Sequence, residues 1–397
     1  MRRSKVLSGL DVLATGGAEA LLESLRGASK VGVCCNPTAI DKSYRHILEI
    51  LPQVGVKIAR VFGPEHGVAA TAQDMIGVQE SAPSVVSLYG DDEASLHPDP
   101  STLEDLDVLV FDIQDIGTRF YTYQATLGFM MEVAAAVGTK VVVLDRPNPI
   151  NGISVEGNVV REGFESFVGA YPLAVRHGMT MGELGWYFKR ELGIDVDYEV
   201  VKCQGWERYM WYDDTDLPWV LPSPNMPTID TTIIYPGMCL IEGTNLSEGR
   251  GTTRPFHLIG APWLDPAEFE AMCRAGATDN GLEGVAFRAA SFLPQFQKHA
   301  GEICGAVEIH IIDRNAINAF LLGLVVIEAA RRCNPKEFAW RTEIYEFVEN
   351  PIAIDLLCGN SEARVGLESH ISPRELLEGW ESELEEWLEK REKYLLY

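Results

Sequence analysis

The chain has 397 residues, of which 46% are hydrophobic and 23% are charged, and its formal net charge at pH 7 is −25. A hydrophobic fraction of this size is typical of a folded globular protein and excludes a wholly disordered chain. So negative a protein would repel nucleic acids and anionic membranes, and neither is expected as a partner. The length favours two domains, which we place at residues 1–225 and 226–397.

The N-terminal segment and the cysteines bear on where the protein works. Met1–Lys5 is basic, but polar and glycine residues between Ser8 and Glu19 interrupt any apolar run, so we predict no signal peptide. Eight cysteines without C-x-x-C spacing indicate buried free thiols in a reducing compartment, rather than disulfides or a zinc site. We therefore expect a cytoplasmic protein.

Short apolar runs alternate with amphipathic segments in the first half of the chain. Runs rich in Val and Ile that are separated by helices predict a parallel sheet with right-handed crossovers. The predicted strands are residues 31–35, 56–62, 107–112, 140–145 and 196–201, and the predicted helices are residues 44–51, 127–137 and 180–193.

The second half is less regular, and we expect an α+β arrangement there. Residues 217–227 hold four prolines within ten residues, which excludes a helix or a central strand and indicates a crossing between domains that lines a cleft. Residues 306–312 alternate with period two and predict a half-buried strand. Helices are predicted at residues 318–331 and from Ser372 onward, where Ser372-Pro373-Arg374-Glu375 forms a capping box and the helical spacing continues to Leu388.

Polar side chains follow three of the predicted strands, at the edge where an open parallel sheet binds ligands. Glu65 and His66 follow the second strand between glycines that permit a sharp turn, so a functional role for this pair is hard to dismiss. The other candidates at this edge are Asp112, Gln114, Asp115, Arg119, Tyr121, Tyr123, Asp145, Arg146 and Asn148.

Structural roles compete with functional ones at these positions. Asp112 and Asp145 also fit helix caps, and Asp145 with Arg146 fits an ion pair. The chain has no Gly-rich nucleotide motif, no G-x-S-x-G elbow and no H-E-x-x-H pair. A metal site built from His66, Asp112 and Asp115 is an open alternative.

A second dense polar segment spans residues 241–256 and contains three glycines. A long surface loop is the simple interpretation, but glycines on both sides of an arginine fit a backbone shaped to approach a ligand. A guanidinium in such a loop matches the geometry of a carboxylate. The candidates in this segment are Glu242, Asn245, Glu248, Arg250 and Arg254.

These segments, in this order, resemble the exo-β-N-acetylmuramidases of the NamZ type. The resemblance runs from about Val31 to Tyr397, and motifs of this length are specific. One departure is that the family typically carries an Arg shortly after Glu-His-Gly, where this chain has Val68-Ala69-Ala70. The stretches that carry the resemblance are residues 62–67, 86–90, 111–123, 144–149, 176–180, 222–226 and 242–255.

The resemblance implies an α/β fold. A Rossmann-like N-terminal domain with a mostly parallel sheet would meet a smaller α+β C-terminal domain, with the active site in the cleft between them. The implied reaction removes N-acetylmuramic acid from the non-reducing end of peptidoglycan fragments, so the expected partner is a muropeptide or a MurNAc-GlcNAc disaccharide. No NAD or other cofactor and no metal are expected. Further substrate-binding positions in the matched motifs are Arg176, His177 and Asn225.

Glycoside hydrolysis needs a carboxylic acid that protonates the leaving oxygen, and usually a second carboxylate. We predict Glu65 as the general acid, assisted by His66. The candidates for the second carboxylate are first Asp115 and Glu248, and then Asp112 and Glu242. The candidates for the lactyl carboxylate of the sugar are Arg119, Arg146, Arg176, Arg250 and Arg254. Two other functions stay open on sequence alone: a non-catalytic muropeptide-binding protein or sensor, and a metal-dependent hydrolase.

Overall fold

A computed structural model describes residues 5–70, 85–90 and 92–397. Most of the basic N-terminal stretch on which the signal-peptide prediction rests therefore lies outside the described residues. The helices are α1 (Gly9–Ala14), α2 (Glu19–Gly27), α3 (Ile47–Gln53), α4 (Tyr123–Val137), α5 (Met181–Arg190), α6 (Ile229–Met238), α7 (Pro266–Asp279), α8 (Ala319–Cys333), α9 (Ala353–Cys358), α10 (Glu362–Glu368), α11 (Pro373–Gly379) and α12 (Glu381–Glu392). The strands are β1 (Val31–Cys35), β2 (Ile58–Gly63), β3 (Val85–Ser87), β4 (Val108–Asp112), β5 (Lys140–Leu144), β6 (Glu156–Val159), β7 (Ala174–Arg176), β8 (Tyr198–Val201), β9 (Leu258–Ala261), β10 (Val285–Phe292) and β11 (Cys304–Ile311).

The first half of the chain forms a six-stranded, fully parallel sheet with the strand order β3-β2-β1-β4-β5-β8. This is the Rossmann order, and the direction of winding reverses between β1 and β4. Five of these strands match the five predicted from apolar runs, so the predicted parallel sheet is confirmed. The sixth, β3, is a three-residue edge strand that the pattern did not reveal.

Both faces of this sheet are covered, which explains the continuous apolar runs. Successive side chains point to opposite faces of a strand. Val31 and Val33 pack in the core beneath α1, α2 and α3, whereas Cys34 packs in the core beneath α4 and α5.

The second half builds a smaller antiparallel sheet with the order β10-β11-β9, against which α7 packs. The strand predicted at 306–312 is β11, and the helix predicted at 318–331 is α8. The outer face of the sheet is charged, because Arg288 of β10 pairs with Glu308 of β11. The expected α+β character of this half is confirmed.

The prediction of one continuous C-terminal helix from Ser372 to Leu388 is wrong, because two helices, α11 and α12, meet at Trp380. The capping box at Ser372 is present. Trp380 leaves the helical conformation (φ −105°, ψ 0°), packs on Phe320 and donates from Nε1 to Glu362 at 2.7 Å. Gly379 favours a break, since glycine lowers helix stability, and burial of the indole ring selects the break at this point.

The eight cysteines are all free thiols, as predicted. Seven are buried and Cys333 is half-buried. Within the described part of the chain, no helix is long and apolar enough to cross a membrane. The proline-rich residues 217–227 form neither a helix nor a strand, and they lead into α6. The domain boundary placed at their end stays a prediction.

Candidate active site

A cavity lies beside the carboxyl edge of the parallel sheet and is lined by polar and aromatic side chains. Segments from both halves of the chain contribute to its lining. The predicted site residues that line it are Glu65, His66, Tyr121, Tyr123, Asn225, Glu242 and Arg250. The polar and aromatic lining residues that sequence reasoning did not single out include Thr122, Ser223, Tyr235, Phe256, Tyr345 and Glu346.

Glu65 reaches the cavity from a tight turn directly after β2. The N–H of Gly67 donates to the carbonyl of Pro64 at 2.9 Å, and both His66 (φ 69°) and Gly67 (φ 78°) take the left-handed conformation. This is the sharp turn that the flanking glycines predicted. The carboxyl of Glu65 is buried and accepts a hydrogen bond of 2.5 Å from the hydroxyl of Thr122, the residue before α4. The turn and this bond together fix the direction of the carboxyl.

Tyr121 and Tyr123 stand beside Glu65, with their rings edge to face at 4.9 Å. The hydroxyl of Tyr123 donates to the carbonyl of Pro222 at 2.5 Å and accepts from Asn36 at 3.0 Å. Burial raises the pKa of both phenols well above their usual value, so both stay protonated. Tyr121 continues into an aromatic wall formed with Tyr235 and Phe256, at ring distances of 5.9 Å and 4.9 Å.

Arg250 enters the cavity from the glycine-rich loop. Gly249 (φ 76°) and Gly251 (φ 77°) are both left-handed, which confirms that glycine shapes the backbone on each side of this residue. The guanidinium lies 3.0 Å from Glu242 and 3.2 Å from Glu248 and stacks over the ring of Phe256. Arg250 therefore sits between two buried carboxylates.

Glu248 belongs to this cluster but does not line the cavity. Its second oxygen lies 3.2 Å from Lys298 Nζ. Burial alone would raise the pKa of Glu248, but Lys298 and Arg250 outweigh it and lower the pKa below its usual value. Its predicted role as second carboxylate remains a prediction.

Three polar residues at the strand ends, Asp112, Asp145 and Arg146, make contacts within the protein, away from the cavity. Arg146 forms a bidentate ion pair with Asp112, at 2.5 Å and 3.0 Å, and both are almost fully buried. Asp145 accepts from Gly182 N (2.8 Å) in the first turn of α5 and from the hydroxyl of Thr180 (2.7 Å). The alternative of a helix cap is thus confirmed for Asp145. The alternative pairing of Asp145 with Arg146 is wrong, because Asp112 takes that arginine.

Asp115 lies in a buried polar cluster behind the tyrosines. One of its carboxylate oxygens accepts from Gly117 N at 2.6 Å and lies 3.8 Å from His177 Nε2. Gln114 is fixed by the carbonyls of Asp115 and Pro147, and Asn148 by that of Met179. Burial raises the pKa of Asp115 to about 7 and lowers that of His177 to about 3.

Replacing Asp115 by Asn is expected to flatten the pH dependence of stability. Because the folded-state pKa of about 7 exceeds the unfolded value of about 3.9, the folded state retains this proton to higher pH. The associated stability is present below the unfolded pKa and is lost as pH rises towards the folded one. Denaturant unfolding at about pH 5 and pH 8, on either side of that folded pKa, should show the variant gaining stability relative to the wild type at the higher pH.

The fully exposed Asp195 provides the control for this measurement. Asp195→Asn should keep the pH dependence of the wild type. If Asp115→Asn also kept it, Asp115 would not titrate between the two pH values.

The remaining predicted arginines, Arg119, Arg176 and Arg254, each make different contacts within the protein. Arg119 is fully buried and donates to the carbonyls of Asn158, Leu173 and Leu357. Arg176 pairs with the buried Glu156. Arg254 is partly exposed and lies 3.6 Å from Glu308. Of the five arginines predicted for the lactyl group, Arg250 is the one in the cavity lining.

Asn245 lies outside the cavity. Its side chain accepts from Ala339 N at 3.1 Å and donates to the carbonyl of Glu337 at 2.7 Å. Among the residues that the structure describes, no three His, Cys, Asp or Glu side chains converge in a way that could hold a metal ion. His66, Asp112 and Asp115 accordingly do not form such a group.

The fold and this cavity define an α/β protein with a Rossmann-ordered sheet, a smaller antiparallel sheet and a small-molecule site lined by carboxylates and aromatic rings. The chain belongs to the exo-β-N-acetylmuramidase NamZ family: the family's N-terminal region matches residues 31–230 and its C-terminal region residues 233–397. This membership confirms the resemblance noted from the sequence motifs.

A similar protein is the peptidoglycan β-N-acetylmuramidase NamZ of Bacillus subtilis (strain 168), which is 41% identical over 402 residues, covering 100% of this chain and 92% of that protein. Two crystal structures of DUF1343 family proteins from Bacteroides fragilis NCTC 9343 are also similar. They have TM-scores of 0.85 and 0.75 and identities of 30% and 27%, and each comparison covers 99% of both chains. The expected fold class is thereby confirmed.

Proposed function

We propose that this protein is a glycosidase that removes N-acetylmuramic acid from the non-reducing end of peptidoglycan fragments. The observation that carries the proposal is the buried carboxyl of Glu65, held in the cavity lining by Thr122. Its support from other proteins is the full-length similarity to a peptidoglycan β-N-acetylmuramidase.

Glu65 acts as the general acid in this proposal. As the bond from the anomeric carbon to the glycosidic oxygen breaks, the leaving oxygen takes its electron pair and receives the proton of Glu65. His66 is the next residue of the same turn and also lines the cavity, so it assists in placing the leaving group.

Recognition of the sugar is assigned to other residues of the lining. Tyr121 and Tyr235 supply aromatic surface for the apolar face of a sugar ring. We assign the lactyl carboxylate to Arg250, the arginine of the lining, whose guanidinium lies between Glu242 and Glu248 in the protein without substrate. The turn after His66 continues through Val68, Ala69 and Ala70, so it adds no second cation where the family typically carries an Arg.

The finer biological setting is also a proposal. The substrate is a muropeptide or a MurNAc-GlcNAc disaccharide, and the protein acts in peptidoglycan recycling in the cytoplasm. Eight free cysteines support a reducing compartment. The net charge of −25 disfavours nucleic acid as a partner.

Release of 4-nitrophenol from its β-N-acetylmuramide is expected, with no release from the matching N-acetylglucosaminide, because Arg250 recognises the lactyl group. No turnover of either glycoside, together with muropeptide binding in calorimetry, would instead indicate a binding protein. Turnover of the muramide that a chelator abolishes would indicate a metal-dependent hydrolase. Cleavage of both glycosides at similar rates would contradict the proposed specificity.

A further inference from the structure

Glu346 is a cavity carboxylate that the sequence patterns did not predict. It lies in the segment between α8 and α9, which has no helix and no named strand across residues 341–352. Its side chain is 3% exposed and lines the same cavity as Glu65. The C-terminal half thus contributes an acidic group to the space that Glu65 enters from the parallel sheet.

The position of Glu346 is fixed from the other half of the chain. The hydroxyl of Tyr89, two residues beyond β3, donates to its carboxylate at 3.1 Å. The ring of Tyr89 stacks on Phe167 at 5.6 Å and packs on Phe347 at 5.8 Å. This aromatic packing holds the donor in place, so the direction of the carboxylate does not depend on its own loop alone.

The backbone at Glu346 is in a conformation that residues with side chains rarely adopt. Glu346 has φ 44° and Phe347 has φ 68°, and neither is a glycine. Tyr345 and Val348 exchange backbone hydrogen bonds of 3.0 Å and 2.9 Å, so Glu346 and Phe347 are the central residues of a two-residue hairpin turn, in which both residues have positive φ. Here the result is that the carboxylate of Glu346 faces the cavity while Phe347 packs against Tyr89.

The other cavity carboxylates have separate tasks. Within the described lining, the acidic residues are Glu65, Glu242 and Glu346. Glu242 lies 3.0 Å from Arg250 and accepts from the hydroxyl of Tyr345 at 2.9 Å, so its charge orients that arginine. Asp115 and Glu248, the first-ranked sequence candidates, do not line the cavity.

We propose that Glu346 is the second catalytic carboxylate and accepts the proton of the group that attacks the anomeric carbon. This inference rests on the proposed glycosidase function. If water attacks, its oxygen bonds to the anomeric carbon, its proton passes to Glu346, and the leaving oxygen takes the proton of Glu65. If the substrate's acetamido oxygen attacks, Glu346 takes the N–H proton and a neutral oxazoline forms, which water then opens.

Glu346→Gln is expected to lower kcat by about 10²–10⁴-fold on both a MurNAc-GlcNAc disaccharide and 4-nitrophenyl β-N-acetylmuramide, with KM little changed. The factor should be similar for the two substrates, because a proton acceptor for the attacking group is needed whatever the leaving group. The nearby exposed Glu349 is the matched control, and Glu349→Gln should keep wild-type kcat. NMR of the first product tests the attacking group: inversion indicates direct attack by water, and retention excludes it.

Tyr89→Phe provides a second test that leaves Glu346 in place. Loss of the hydroxyl removes a hydrogen bond to the carboxylate and raises its pKa, so the acidic limb of the kcat profile should move to higher pH. Suppose that the wild type cleaves the muramide. A kcat of Glu346→Gln within a few-fold of the wild type, or a kcat profile of Tyr89→Phe whose acidic limb does not move, would then overturn the role of Glu346 alone. A wild type that cleaves neither substrate would overturn the proposed function itself.

Discussion

Glu65→Gln is expected to reduce kcat on a MurNAc-GlcNAc disaccharide by about 10²–10⁴-fold, since a sugar alkoxide leaves only when it is protonated. Glutamine keeps the size of the side chain and its acceptor for Thr122, so the fold should be retained. The loss should be much smaller on 4-nitrophenyl β-N-acetylmuramide, because nitrophenolate is stable without a proton. Steady-state kinetics on the two substrates measures this difference.

The leaving-group dependence separates Glu65 from Glu346, for which both substrates should be affected alike. Glu49→Gln, at an exposed position of α3, controls for the substitution itself. Near-wild-type turnover of the disaccharide by Glu65→Gln would remove Glu65 as the general acid.

Arg146→Met is expected to lower the free energy of unfolding by about 3–5 kcal/mol, because it leaves the carboxylate of Asp112 buried without its partner. Burial raises the pKa of Asp112 even against the opposing effect of Arg146. Without the arginine the carboxyl would bind a proton more readily, so the destabilisation should shrink as pH falls. Denaturant unfolding at several pH values measures both the loss of unfolding free energy and its decrease as pH falls.

The comparison for this prediction is an exposed ion pair. Arg274, on α7, is 70% exposed and pairs with Glu270, and Arg274→Met should change stability by less than about 1 kcal/mol. The KM of Arg146→Met reports on the earlier prediction of substrate binding. A raised KM with unchanged stability would show that Arg146 binds substrate and does not serve the fold.

The parallel sheet was predictable because its strands are buried on both faces. Short, continuous apolar runs such as Val31–Cys35 and Lys140–Leu144 are typical of strands in such a sheet. β10 escaped prediction because one of its faces is exposed, so its burial follows neither a continuous run nor a clean alternation. The break at Trp380 depends on a contact with Phe320, and helical spacing within one segment holds no information about such a contact.

Site residues were predictable where the local backbone, rather than a distant contact, directs the side chain into the cavity. The turn that presents Glu65 and the glycines beside Arg250 are local features, and both residues line the cavity. The position at a strand end predicted site roles for Asp112 and Asp145, but neither lines the cavity. Asp112 instead pairs with Arg146, and Asp145 accepts a hydrogen bond from the first turn of α5. Glu346 was missed because Tyr89, far away in sequence, fixes its position.

The rate at which a reagent labels the buried free thiols measures how often the structure around each one opens. Burial raises the pKa of Cys34 and Cys273 well above the usual value, so the reactive thiolate is scarce as well as inaccessible. Cys34 lies in the parallel sheet and Cys273 in α7, beside the antiparallel sheet. A thiol reagent reaches each one only when its surroundings open. Labelling rates at these two positions therefore rank the two halves of the chain by how readily each comes apart.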